Sequence, residues 1–153
     1  MTEMTATGKP TMTFGKSEHI ISRKTIERLF AGGNRSMVAY PIRMVYMPVE
    51  SVDMPVQVLV SVSKRHFKRA VKRNRVKRQI REAYRKNKNN LTVAASEAKM
   101  AYALGFIFMA DELFPSTAID ESISRLLTRL REKIVHGHLR ETKEKTGDET
   151  NGQ

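Results

Sequence analysis

The segment KRHFKRAVKRNRVKRQIREAYRKNK, residues 64–88, constrains the fold more than any other part of this 153-residue chain. Val76, Ile80, Ala83 and Tyr84 recur in it at i, i+4, i+7 and i+8, the spacing that gathers side chains on one face of an α-helix. Asn74, Lys77, Arg78, Arg81 and Arg85 fall on the opposite face. A helix with one apolar side must bury that side, and Val, Ile, Ala and Tyr suit packing against a sheet. The same segment holds thirteen Lys and Arg against Glu82 alone. That surplus of twelve equals the formal net charge of the whole chain, +12, so the rest of the sequence is balanced. Charge of one sign concentrated on a helix face points to a polyanionic partner.

The flanking segments supply the remaining elements. Ser22 is placed to cap a helix over RKTIERLFA, ended by Gly32-Gly33, with Ile26, Leu29 and Phe30 on one face. IRMVYMP (42–48) alternates loosely, with Ile42, Met44 and Tyr46 on one side. In VQVLVSVS (56–63) Val56, Val58, Val60 and Val62 point one way, and Gln57, Leu59, Ser61 and Ser63 the other, which predicts a half-buried strand. LTVAASEAKMAYA (91–103) reads as a connector of small residues, and LGFIFMA (104–110) as a central strand. Pro115-Ser116-Thr117 opens a last helix striped with Ile119, Ile123, Leu126, Leu127, Leu130 and Ile134. The expected order is α-β-β-α-β-α, an α+β fold built as a two-layer α/β sandwich. The expected organisation is one domain over 19–136, flanked by a disordered arm (1–18) and a disordered polar tail (137–153).

Several function classes are excluded at this stage. No run reaches the ~18–20 apolar residues of a membrane span, and residues 1–19 hold no apolar stretch of the secretory kind, so a cytoplasmic protein with no membrane partner is expected. Zero cysteines rule out disulfides, thiolate chemistry and Cys-ligated zinc. There is no phosphate-cradling Gly-rich loop, so no small-molecule substrate is expected. Asp111-Glu112 is the one acidic pair at a strand end, but adjacent strand residues point to opposite faces, so no catalytic or metal-binding residue is assigned.

A nucleic acid remains as the partner. Arg outnumbers Lys on the exposed ridge, and guanidinium groups grip phosphate bidentately and stack on bases. Asn74 can both donate to and accept from a base edge or a ribose hydroxyl. Charge and geometry leave DNA and RNA both open.

The stretch SVSKRHFKRAVKRNRVKRQIREAYR, around Arg73-Asn74-Arg75, resembles the RNR signature of the protein subunit of bacterial ribonuclease P. The Ser-Val-Ser-Lys strand end, the Ala70-Val71 pair and the run from Val76 to Ala83 extend the likeness, as does TIERLFAGG upstream. The resemblance implies a fold similar to a domain of ribosomal protein S5, with a left-handed β-α-β crossover. It implies that an RNA subunit with Mg2+ is the catalyst, an endoribonuclease that removes the 5′ leader of precursor tRNA. Lys64, Arg65, Lys72, Arg73, Asn74, Arg75, Lys77, Arg78 and Arg81 would then face ribonuclease P RNA, and Ile26, Phe30, Arg43, Ser61 and Ser63 the leader of the precursor tRNA. A ribosomal or RNA-chaperone-like binding module, without a catalytic RNA, is the alternative. The chain departs from the family pattern at three places: Ile26 replaces an aromatic residue, Lys68 a glycine, and Asp111 an arginine.

Overall fold

The computed structural model describes residues 18–19, 22–50 and 54–151, with side chains through Gly137. Apart from Glu18, the expected N-terminal arm lies outside the described residues. The elements in chain order are α1 (Arg23–Phe30), β1 (Arg35–Ala39), β2 (Ile42–Val49), β3 (Val56–Ser61), α2 (Ala70–Asn87), α3 (Asn89–Glu97), β4 (Ala101–Phe108) and α4 (Ser116–Asn151). The fold is mixed α+β, with a four-stranded sheet in the order β1-β2-β4-β3. β2 pairs antiparallel with β1 and β4, and β3 pairs parallel with β4.

Two elements are absent from the expected order. β1 is short and mostly exposed, so RSMVA carries no alternation. It forms because a two-residue connection sets Ala39 opposite Ile42. α3 replaces the expected connector: Leu91, Ala94 and Ala95 fall at i, i+3 and i+4 and are all buried. The apolar signal was hidden because alanine contributes little to it, although alanine is the best helix former.

α3 ends in a Schellman turn, in which Met100 N–H donates to Ala95 O (2.9 Å) and Lys99 N–H to Ser96 O (3.0 Å). Lys99 takes the left-handed position with φ +57°, a conformation that costs a side chain. Lys99→Gly is therefore expected to stabilise the protein by about 0.5–1 kcal/mol, seen as a higher urea midpoint at unchanged m-value.

The core lies between one sheet face and helices α2, α3 and α4. α2 buries Val76, Ile80, Ala83 and Tyr84, and α4 buries its six-residue stripe from Ile119 to Ile134, as the periodicity predicts. They meet Ile42, Met44, Tyr46, Val56, Val58, Leu104, Phe106 and Phe108. The Tyr84 ring lies 6.1 Å from that of Phe106, and burial pushes the Tyr84 phenol well above its ordinary pKa. The helical backbone of α4 continues through Asn151, across the segment expected as a disordered polar tail, and the apolar stripe seen among the described side chains runs to Ile134.

Among the described helices, α1 is the one on the other face of the sheet. Ser22 Oγ accepts from Thr25 N–H (3.3 Å) at its start, and Gly32 and Gly33, at φ +97° and +84°, turn the chain away at its end. Leu29 packs with Val45, Met47 and Ala103. Gly105 makes the close approach possible, since a Cβ there would come within 2.9 Å of the Phe30 ring and 3.1 Å of Leu29.

The chain before α1 is tied down at two points. His19 forms a parallel bridge with Val58 along β3. Lys88 Nζ, between α2 and α3, donates to both carboxylate oxygens of Glu18 at 2.7 and 2.9 Å, with side chains only 3% and 7% exposed. Glu18 is thus part of the folded body rather than of the arm to which its polarity assigns it.

Candidate nucleic-acid interface

The charge along α2 is uneven. Beyond Arg81 each cation has an acid: Arg85 chelates Glu82 with Nε at 3.0 Å, Lys86 lies 3.8 Å from Asp120, and Lys88, at the C-cap, holds Glu18. The bonds from Arg85 hold the Glu82 carboxyl below the usual carboxylate range. The first turns differ. No acid sits in the first turn, and Arg69 at the N-cap supplies no side-chain cap. Lys64 and Arg65 in the loop before α2, and Lys72, Arg75, Arg78 and Arg81 along the helix, are exposed together with Asn74, and none of the six makes an ion pair among the described residues. Cations crowded along one stretch of chain repel one another, and Lys72, in the first turn, also faces the positive end of the helix dipole; a bound phosphate chain relieves this repulsion. Arg81 also acts on His19, whose pKa is lowered first by burial and then by that positive charge.

Arg73 behaves differently from its neighbours. It is half-buried, and its Nη1 donates to Phe67 O at 2.9 Å and Lys68 O at 2.8 Å. It closes the loop that leads into α2, so one guanidinium of the RNR triplet is committed to the fold. Lys77 is also half-buried.

The second set of residues falls on the sheet face that α1 partly covers. The strand register sets Arg43 opposite Ile107 and Ile107 opposite Ser61, one row across three strands. The next row is Val45, Gly105 and Leu59, with Phe30 above Gly105. Phe30 is 40% exposed, enough ring to stack a base beside a row of polar and cationic groups. Ile26 packs at the edge of the same cluster, and Arg43 Nη2 donates to Ser36 Oγ at 3.4 Å. Ser63 is not in the row: it lies past the end of β3, and its hydroxyl accepts from Arg65 N–H at 3.0 Å. Ile107 and the half-exposed Val38, opposite Arg43, were missed from sequence. The period-2 position of Ile107 between Phe106 and Phe108 was the available signal.

Asp111, where the family pattern has a cation, lies 2.6 Å from His66 Nδ1. It clips the loop before α2 to the end of β4. Among the described residues no three His, Asp or Glu side chains gather as a metal cage. Asp120 accepts from Asn87 Nδ2 at 2.9 Å, and Glu82 and Glu18 hold Arg85 and Lys88. Glu18, Glu82, Asp111 and Asp120 thus each have a partner within the fold and do not come together as a Mg2+ cage. No helix among the described residues is long and apolar enough to cross a membrane.

Fold and site together define a small α+β domain that presents an uncompensated cationic helix beside a partly open sheet face. The family model described as Ribonuclease P matches residues 14–131. A Ribonuclease P protein component from Porphyromonas gingivalis is 36% identical over 135 residues, covering 88% of this chain and 98% of its own length. One from Chlorobaculum tepidum is 36% identical over 110 residues, covering 67% and 71%. Among solved structures, the RNase P protein of Staphylococcus aureus superposes with a TM-score of 0.60 at 20% identity, covering 75% of this chain and 96% of that one. That of Thermotoga maritima gives 0.59 at 18%, covering 73% and 96%; both likenesses speak for the fold. The chain belongs to the bacterial ribonuclease P protein family.

Proposed function

We propose that this chain is the protein subunit of a ribonuclease P holoenzyme, an endoribonuclease acting in the cytoplasm. The loop before α2 and the helix through Arg81 dock on ribonuclease P RNA: Lys64, Arg65, Lys72, Arg75, Lys77, Arg78 and Arg81 meet phosphates, and Asn74 a base edge or ribose. The sheet face carrying Phe30, Ile26, Arg43 and Ser61 holds the 5′ leader of precursor tRNA, with Phe30 as the stacking surface and Arg43 on a phosphate. Ser63 and Arg73 act one step back, by shaping the loop between the two surfaces. Hydrolysis is assigned to the RNA subunit with its Mg2+, as the family resemblance implies; this is supported by the described residues, among which no three His, Asp or Glu side chains gather to hold a metal. The observation that carries the reading is the charge asymmetry of α2: compensated at its C-terminal end, bare at its N-terminal end.

The test is cleavage of 5′-labelled precursor tRNA at low Mg2+. Protein plus RNA subunit is expected to release the leader and leave a 5′-phosphate on the mature end, RNA alone to be much slower, and protein alone to be inert. Cleavage by protein alone would overturn the assignment of chemistry to RNA. Tight RNA binding with no cleavage in any mixture would leave a ribosomal or chaperone-like binding module instead.

A further inference from the structure

At the junction of α2 and α3 the sequence reads Asn87-Lys88-Asn89-Asn90-Leu91. Lys88 turns inward to Glu18, which leaves the asparagines around it to line a cavity of about 350 Å3 against α4. On the α4 side Ser124, Thr128 and Arg131 recur at i, i+4 and i+7 and share that wall. The floor is apolar, formed by the buried Leu91 and Leu127. The rim carries two cations, Lys86 and Arg131. Lys86 is only loosely held by Asp120 at 3.8 Å, and Arg131 makes no ion pair among the described residues. Asn87 is committed to the wall, donating to Ala83 O at 2.7 Å and to Asp120 at 2.9 Å.

This combination suits one kind of ligand. Amides and hydroxyls over most of the wall disfavour an apolar molecule, and the cationic rim disfavours a cation. An apolar floor with amides above it accepts the flat face and the edges of a base, while the rim accepts its phosphate. The volume lies near the lower end of the range for small-ligand sites, enough for one nucleotide and too small for a duplex. The cavity is on the helical layer, on the far side of the sheet from Phe30 and Arg43. From Arg75 to Lys86 along α2 is about 16 Å at 1.5 Å per residue, so an RNA strand lying on the helix reaches it within a few nucleotides.

We propose that this cavity receives a single unstacked nucleotide, from a loop or bulge, of the RNA that α2 binds. The proposal rests on the reading of α2 as the RNA-docking helix. Its test is chemical probing of the RNA subunit in complex with wild type, with Asn90→Ala/Arg131→Ala, and with Arg75→Ala/Arg78→Ala. Asn90 and Arg131 are exposed, so the first double variant is expected to keep the wild-type melting temperature; Thr128→Val serves as a second, single-site variant. The cavity variant is expected to bind RNA about 10-fold more weakly and to restore the reactivity of one nucleotide that wild type protects. The side-chain amide NMR signals of Asn89 and Asn90 are expected to move with nucleoside 5′-monophosphates and much less with inorganic phosphate. If Arg75→Ala/Arg78→Ala binds RNA normally, the α2 reading itself fails. If it weakens binding while the cavity variants leave affinity and footprint unchanged, only the cavity proposal fails. Equal shifts with inorganic phosphate would reduce the cavity to a simple anion site and overturn the nucleotide assignment.

Discussion

Lys88→Met is expected to cost about 3–5 kcal/mol of folding stability, a large share of the about 5–15 kcal/mol that a domain of this size possesses. Both oxygens of Glu18 are held by one ammonium at 2.7 and 2.9 Å, in surroundings that leave neither side chain more than 7% exposed. Removing the ammonium strands a carboxylate where water reaches it poorly. The loss should therefore exceed what the attraction itself contributes. Glu18→Leu combined with Lys88→Met is expected to recover most of the stability, because two apolar groups leave no charge unpaired. Urea denaturation of wild type, both single variants and the double variant closes the cycle. A cost below about 1 kcal/mol for Lys88→Met would mean that the chain ahead of α1 swings free with little penalty and that the pair is not needed.

The second large effect is on RNA affinity. Arg75→Ala/Arg78→Ala removes two exposed cations that hold no acid among the described residues. If each meets one phosphate, the log–log salt slope should fall by about 1.4–1.8, and binding near 0.1 M salt by roughly 25- to 60-fold. The melting temperature should hardly move, since both side chains are exposed and neither is in an ion pair among the described residues. Arg73→Ala is expected to separate from them. It forfeits two charge-assisted bonds to the loop carbonyls of Phe67 and Lys68, so about 1–2 kcal/mol of stability should go with it. Titrating labelled RNA subunit at several salt concentrations, beside thermal melts, distinguishes the two behaviours. Unchanged salt slopes for the Arg75/Arg78 variant would exclude phosphate contacts there.

The strongly periodic elements were legible in the sequence because each carries a whole apolar face. The α2 stripe of Val76, Ile80, Ala83 and Tyr84, the inward Val56 and Val58, and the α4 stripe all bury as spaced. β1 and α3 were not legible: one is paired by its connection to β2, the other is written in alanine and asparagine, and neither leaves an amphipathic trace. For the candidate site, strand register correctly put Arg43 and Ser61 on one face. It missed that Ser63 has left the strand and that Arg73 turns back to its own loop, because both depend on backbone carbonyls and amides that a side-chain pattern does not reveal. The Glu18–Lys88 pair spans 70 residues, and nothing local in either segment marks it.

The placement of α1 has a consequence for how the protein is born. Its platform is β2 and β4, and Phe30 and Leu29 settle over Gly105, 75 residues downstream of Phe30. Helix α1 must therefore wait for β4, which is made much later, and Glu18 must wait for Lys88. Contacts this distant in sequence form late and slowly. A nascent or truncated chain that already displays the cationic helix has no finished sheet face beneath α1. Only a chain synthesised past residue 108 can present both surfaces at once.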